Sequence, residues 1–241
     1  MALDPAETRD VDSALVGRIL ALLAHDLRNP LSALSTNLDF LAGLLKTQSG
    51  EVFEVLDDAV VSCDSLAHIT ENIDVLARYL AGEREAACVR LSMAPVVADA
   101  ISRCSRLAQS HGCRIVPLAD AEASPIHVHS NRTFLTRAID NLICNGIQYG
   151  CGTDILIGLS RDAEYCRVTV TDSGYPLADS LRERTFSLSG QLDTKGVQGG
   201  RYSRGLGLFV ASAAATAAGA TLVAEASEKG ARFVLTILVD E

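Results

Sequence analysis

The chain has 241 residues, of which 48% are hydrophobic and 21% are charged, and its formal net charge is −9. An acidic chain offers no broad basic face, so we expect it to bind neither nucleic acid nor an anionic membrane surface. Seven cysteines without a CxxC pair predict buried thiols in a reduced, cytoplasmic protein. No apolar run is long enough to span a bilayer, so we expect no membrane insertion.

The first predicted element is a long helix whose apolar residues follow a heptad pattern. His25 directly follows one position of this seam, Asp26 is adjacent, and Asn29 lies one turn further along the same face. Most helical histidines beside a charge are simply solvated. Pro30 removes a helix hydrogen bond at a cost of about 3 kcal/mol, and a kink so close to a histidine favours a functional role for His25. The seam steps by four and three through Leu20, Ala24, Leu27, Leu31, Leu34, Leu38, Leu41 and Leu45.

A second helix follows a short turn at residues 47–50 and carries a seam of its own. The two helices predict an antiparallel hairpin over residues 8–82, and residues 81–85 end the hairpin and link it to the rest of the chain. Two helices alone cannot cover seams this wide, so we expect a homodimer whose paired hairpins form a four-helix bundle. The second seam consists of Val52, Leu56, Ala59, Cys63, Leu66, Thr70, Ile73, Ala77 and Leu80.

Residues 88–241 alternate predicted helices and strands and form a second domain. Asn131 is placed to cap a helix that runs to about Ile147. The segment 174–204, rich in Gly, Ser and charge, is predicted to be a long loop or lid. The fold class is therefore α+β: a helical hairpin followed by an α/β sandwich with helices on one face of a mixed sheet. The other predicted elements are helices at 95–109 and 205–218, strands at 114–118, 126–129, 155–159 and 165–171, and a hairpin at 220–226 and 231–239.

Three short motifs in the second domain carry further candidate chemistry. Asn141 and Asn145 lie on one side of a helix, and amide oxygens suit Mg²⁺, although polar residues are also ordinary on a helix surface. Asp172-Ser173-Gly174 ends a strand and is also a common turn sequence. Glycines that open a helix allow phosphate to approach its free N–H groups. The motifs in chain order are Asp140-Asn141-Leu142-Ile143-Cys144-Asn145-Gly146, Asp172-Ser173-Gly174 and Arg204-Gly205-Leu206-Gly207-Leu208.

Taken in this order, with the His-Asp helix before them, the motifs resemble the catalytic core of a two-component sensor histidine kinase. The resemblance runs from about residue 10 to the end and implies a phosphoacceptor hairpin (8–82) and a GHKL-like ATP-binding catalytic domain (88–241). It implies that His25 is phosphorylated from ATP while Asp26 accepts or steers a proton. The phosphoryl group would pass to an aspartate of a response-regulator receiver domain, and Asn29 would position water for the reverse dephosphorylation.

The resemblance also assigns roles in the nucleotide site. Asp172 would accept the exocyclic amine of adenine, Gly174 would let the backbone approach the base, and Asn145 would hold Mg²⁺ with Asn141 nearby. Phe186 resembles the phenylalanine that packs the lid in this family. The remaining cofactor-binding candidates are Gln148, Tyr149, Arg204, Gly205, Leu206 and Gly207.

Three positions depart from the family pattern. Pro176 replaces the second glycine of the first glycine motif, and Ser203 replaces a glycine two residues before Gly205. Gln148 replaces a lysine that often precedes the tyrosine, which removes a positive charge near the phosphates. The cations that could compensate are Lys195, Arg201 and Arg204.

Two alternatives stay open on the sequence alone. The nucleotide site could be degenerate, leaving a histidine phosphotransfer or scaffold protein, or the chain could be an ATPase of the same sandwich fold without phosphohistidine. His127 and His129 share a strand face, but a metal needs at least three ligands and we expect no metal there. Because only about ten residues precede the first helix, we expect the input signal to come from a separate sensor protein or from a longer chain of which this is a fragment.

Overall fold

A computed structural model of the chain describes residues 51–80, 88–118, 125–150, 152–162, 164–174, 176–188 and 206–240, together with part of 16–41. The chain forms two compact units, one ending at Ile73 and the other beginning at Asp74. Among the candidate site residues, His25, Arg204 and Gly205 lie outside the described residues. So do Ser203, which departs from the family pattern, and the possible compensating cations Lys195 and Arg201. None of the described helices is long and apolar enough to cross a membrane.

The first unit is helical wherever it is described. Each described position between 16 and 41 is in helix, including Pro30, and the first complete helix, α1, spans Glu51–Leu80. The seam predicted for α1 is only partly buried within the single chain, because Ala59 is buried whereas Leu56 is 42% exposed. Apolar side chains therefore remain on the surface of this unit.

The second unit is built on a five-stranded mixed sheet. The strand order is β2-β4-β5-β7-β6, with β2 and β4 parallel and the other neighbours antiparallel, and β1 pairs with β3 in a separate two-stranded sheet. The elements in chain order are β1 (Cys88–Ser92), α2 (Met93–Ser110), β2 (Arg114–Leu118), β3 (His127–Asn131), α3 (Arg132–Tyr149), β4 (Asp154–Asp162), β5 (Tyr165–Thr171), α4 (Asp179–Arg182), a 3-10 turn (Arg184–Phe186), α5 (Gly207–Ala217), β6 (Thr221–Glu225) and β7 (Arg232–Leu238).

Helix α3 lies at the centre of this unit. It contacts α2, α5 and the sheet, and its residues are buried almost without a break from Phe134 to Ile147, as expected of a helix that is covered on more than one side. The sheet face beneath the helices is apolar. Its least exposed side chains are Ile155, Ile157, Cys166, Val168, Val170, Phe233 and Leu235. The predicted sandwich, with helices on one face of a mixed sheet, is confirmed.

Several predicted elements are found where the sequence placed them. Strands β2 and β5 have the predicted bounds. Asn131 caps α3, because its side-chain oxygen accepts hydrogen bonds from the backbone N–H groups of Thr133 and Phe134 at 3.0 and 3.4 Å. The helix runs two residues beyond Ile147, to Tyr149.

Other elements correct the sequence prediction. Residues 88–92 form strand β1, which pairs with β3. The sequence around β1 carries no local signal for this strand, because its pairing partner lies some forty residues further along the chain. The predicted loop 174–204 contains α4 and the 3-10 turn among its described residues, because Phe186 packs edge-on against Phe233 of β7 with ring centroids 6.0 Å apart. Helix α5 begins at Gly207 rather than at residue 205.

Candidate functional site

The two asparagines of α3 have different surroundings. Asn141 is 1% exposed, and its amide nitrogen donates to the Arg137 carbonyl at 2.9 Å. Asn145 is 8% exposed, and its Oδ1 is buried without a hydrogen-bond partner among the described atoms. A buried acceptor of this kind is costly unless something pairs with it. Asn145 is therefore the residue of this pair whose surroundings fit a hard cation such as Mg²⁺.

Asp172 follows β5 and is held by backbone groups. Its Oδ1 accepts hydrogen bonds from the N–H groups of Gly174 at 2.9 Å and Ala231 at 3.4 Å. Its own N–H donates to the Ala231 carbonyl at 3.0 Å. The side chain is in a residue only 2% exposed, so both the position and the direction of the carboxylate are fixed by the fold.

Gly174 brings this turn against the end of α3. A Cβ atom at Gly174 would overlap the backbone carbonyl of Tyr149 and would lie 3.0 Å from the Cα of Gly150. No residue with a side chain fits there without moving the helix end. The fold therefore brings the Asp172–Gly174 turn against Tyr149 and the end of α3, while Gln148 is exposed.

The start of α5 lies beside Asn141. Gly207 is the first residue of the helix and Leu206 precedes it without a side-chain cap. A Cβ atom at Gly207 would lie 3.4 Å from Asn141 Oδ1. The first N–H groups of a helix have no partner within the helix, and they suit an anion. The structure thus places Gly207, from the second glycine motif, beside the asparagine helix.

A buried ion pair next to these asparagines was not predicted from the sequence. Asp140 is 2% exposed, and Arg103 of α2 donates to its two carboxylate oxygens at 2.9 and 3.1 Å. Burial raises the pKa of the Asp140 carboxyl above its usual range, and the bonds from Arg103 oppose that rise. Asp140 opens the asparagine motif of α3, but nothing in the sequence marks Arg103 as its partner. The pair fixes how α3 sits on α2.

The hairpin candidates are less fully described. Asp26 is helical and half-buried, and Asn29 is helical and exposed. The exposed position of Asn29 is compatible with contact to a partner protein. Their geometry relative to His25 stays a prediction, since His25 itself lies outside the described residues.

Comparison with known protein families matches both parts of the chain. Residues 15–82 match the model of the His Kinase A (phospho-acceptor) domain. Residues 130–241 match the model described as histidine kinase-, DNA gyrase B-, and HSP90-like ATPase. The chain therefore contains the phospho-acceptor and ATPase domains of a sensor histidine kinase catalytic core. The ATPase match implies that this histidine kinase domain binds ATP, and the phospho-acceptor match favours a kinase over an ATPase without phosphohistidine.

Individual relatives agree with this assignment. The sensor histidine kinase YcbM of Bacillus subtilis is 23% identical over 170 residues, which are 70% of this chain and 54% of YcbM. The sensor-type histidine kinase PrrB of Mycobacterium tuberculosis is 26% identical over 222 residues, covering 90% of this chain and 46% of PrrB. The histidine kinase chain thus spans about half the length of these relatives.

Solved structures show the same fold. The histidine kinase AdeS of Acinetobacter baumannii matches with a TM-score of 0.59 at 18% identity, covering 90% of this chain and 98% of that one. The resemblance to a sensor histidine kinase core and the α+β fold class are confirmed. The roles of the individual site residues stay predictions.

Proposed function

We propose that this chain is an ATP-dependent protein histidine kinase that phosphorylates its own His25 and passes the phosphoryl group to a response-regulator aspartate. The observation that carries the proposal is the order of two matched domains, a phospho-acceptor hairpin followed by an ATPase domain. A second support is the buried, fixed Asp172 beside the asparagine helix. The relatives named above are themselves sensor histidine kinases.

In the nucleotide site, Asp172 would accept the adenine amine, and Gly174 would admit the base close to the backbone. Asn145 would hold Mg²⁺, because its Oδ1 is a buried acceptor without a described partner. A bound Mg²⁺ would neutralise charge on the phosphates. The phosphates would face the start of α5. The other proposed contacts are Asn141, Gln148, Tyr149, Arg204, Gly205, Leu206 and Gly207.

At the hairpin, His25 would attack the γ-phosphoryl group in line. One ring nitrogen would form the new bond to phosphorus while the bond between the γ-phosphorus and the β,γ-bridging oxygen breaks and ADP leaves, and Asp26 would hold or accept the proton on the other nitrogen. Phosphoryl transfer of this kind depends mainly on positioning and charge neutralisation. The protein residues therefore act chiefly by bringing the imidazole and the phosphate together.

Asn29 would serve the reverse reaction on the regulator. Its exposed side chain would orient a water molecule toward the phosphoaspartate of a docked receiver domain. The decay of regulator phosphoaspartate in the Asn29→Ala variant tests this role. Decay at the wild-type rate would remove it.

We also propose a cytoplasmic homodimer that receives its signal from a separate sensor protein or from a further part of a longer chain. The support for the dimer is the set of exposed apolar side chains on the helical unit. The support for an aqueous location without nucleic acid is the net charge of −9. A phosphotransfer or scaffold protein with a degenerate ATP site is the competing function, favoured by Pro176 and Ser203, each in place of a glycine of the family pattern.

Labelling with γ-labelled ATP and Mg²⁺ tests the proposal. We expect wild type to acquire a label that is lost in acid and kept in alkali, as phosphohistidine chemistry requires, and His25→Gln to stay unlabelled while still binding nucleotide. Equilibrium binding of an ATP analogue separates the competing function, which predicts no binding. An acid-stable label, or a label that persists in His25→Gln, would refute the assignment of His25.

A further inference from the structure

The turn between β6 and β7 lies directly against Asp172. Gly230, in this turn, has a φ of +65°. A Cβ atom at Gly230 would lie 2.6 Å from Asp172 Oδ1 and 2.5 Å from its carbonyl carbon, and would overlap its carbonyl oxygen. Real Cβ atoms do not approach other atoms so closely, so any side chain at this position must displace Asp172. Neither the motif pattern nor the family match assigns a role to Gly230.

We propose that Gly230 is a positioning residue that sets the nucleobase preference of the site by leaving room for the Asp172 carboxylate. The inference rests on the proposed function, since it takes Asp172 to be the group that reads the base. Gly230 itself touches no nucleotide in this proposal. It acts through the position of Asp172.

The hydrogen bonds explain how the position of the carboxylate becomes selectivity. Gly174 and Ala231 both donate to Oδ1, which fixes the plane of the carboxylate and the direction in which it meets the base. Adenine presents an amine donor at its 6-position, whereas guanine presents a carbonyl acceptor there. A fixed carboxylate oxygen therefore attracts adenine and repels guanine. A site built around one polar group discriminates strongly only while that group keeps its place.

The chain offers a matched control for the backbone strain that any substitution at Gly230 introduces. Gly112 has the same φ of +65°, and a Cβ atom there would meet nothing within 4 Å. Gly112→Ala and Gly230→Ala thus share the cost of a positive φ, but only the second pushes on Asp172. Gly230→Asn provides a second test variant, because asparagine tolerates the left-handed region better than alanine and carries the same Cβ.

The experiment measures equilibrium binding of ATP and of GTP, each with Mg²⁺, to the full chain. We expect wild type to prefer ATP. Gly230→Ala and Gly230→Asn should weaken ATP binding about tenfold and change GTP binding by less than about threefold, while Gly112→Ala keeps the wild-type ratio. Thermal unfolding of each variant, followed by circular dichroism, shows whether it is folded.

Each outcome decides between the claims. A wild type that binds neither nucleotide overturns the proposed function and this inference with it. A wild type that prefers ATP, with the same ATP-to-GTP ratio in both Gly230 variants, overturns the inference alone. Equal weakening of both nucleotides, or Gly230 variants that fail to fold while Gly112→Ala folds, would mean that Gly230 has only a structural role and would also overturn it.

Discussion

At the scale of single residues, burial changes the acid–base behaviour of a cysteine in the second unit. Cys166 on β5 is completely buried, and this burial raises the pKa of its thiol to about 12. A cysteine in an unfolded chain has a pKa of about 8.5. The difference couples the protonation of Cys166 to folding. It also makes the thiolate, the reactive form of cysteine, rare in the folded protein at neutral pH.

The sign of this coupling predicts a loss of stability in alkali. The folded pKa lies above the unfolded one, so the contribution of Cys166 is complete below about pH 8.5 and is lost as the pH rises toward 12. Linkage gives a loss of about 2 kcal/mol in the free energy of unfolding by pH 10. Urea unfolding at pH 7.5 and pH 10, under reducing conditions, should show a smaller pH effect in Cys166→Ala than in wild type. Cys63→Ala, at an exposed cysteine, provides the control. Equal pH effects in wild type and Cys166→Ala would contradict the prediction.

Features that depend on neighbouring positions in the sequence were predictable, whereas contacts between residues far apart in the sequence were not. The alternation of β5 and the cap of α3 depend on neighbouring positions, so the sequence showed them directly. Asp172 became a candidate through its Asp-Ser-Gly motif, whereas Gly230 meets it only because the chain returns 58 residues later to form the β6–β7 turn. The Arg103–Asp140 pair joins residues separated by 37 positions. No local pattern marks such contacts.

At the scale of elements, the packing of α2 on α3 includes an ion pair whose two ends differ in exposure. The side chain of Arg103 is 44% exposed and that of Asp140 is 2% exposed. A buried carboxylate that loses its partner is costly, whereas a surface pair contributes little. The stability of the packing between α2 and α3 therefore depends more on keeping the buried Asp140 carboxylate paired than on the attraction between the two charges.

Removing Arg103 tests that dependence. Arg103→Ala should lower the free energy of unfolding by about 2 kcal/mol, less than the 3–5 kcal/mol of a fully buried pair because Arg103 is partly solvated. Arg114→Ala is the matched control, since Arg114 also binds an aspartate, Asp154, through two nitrogens, at 2.9 and 2.8 Å, but the side chain of Asp154 is 41% exposed. Chemical unfolding should show a much smaller loss for this variant. Equal losses would show that burial of Asp140 has no special cost.

At the scale of the whole molecule, each unit has five exposed large apolar side chains among its described residues, and they are denser on the helical unit because it is less than half as long. The helices there leave large side chains in contact with water, which soluble proteins usually cover. A second copy of the same hairpin would cover them by completing a four-helix bundle. The exposed side chains on this unit are Val16, Leu31, Phe40, Leu56 and Val60.

Mass measurement tests the proposed dimer. Light scattering at micromolar concentration should give twice the chain mass of 25.5 kDa, and Leu56→Glu combined with Val60→Glu should shift the protein to monomer. Val223→Glu is the control, because Val223 is 49% exposed but lies on β6 in the other unit. A wild type that scatters as a monomer, or a dimer that survives the charged double variant and dissociates in the control, would refute the proposed interface.

The end of α1 has a practical consequence for shortening the chain. Val75 and Leu76 are buried within the second unit, and the Arg78 guanidinium lies 5.0 Å from the centre of the Phe134 ring at the start of α3. A fragment cut at the sequence-predicted boundary, residue 88, would remove the Arg78 guanidinium from the Phe134 ring. A fragment that begins before Asp74 keeps this contact, so the last two turns of α1 belong with the ATPase domain when the protein is divided for expression.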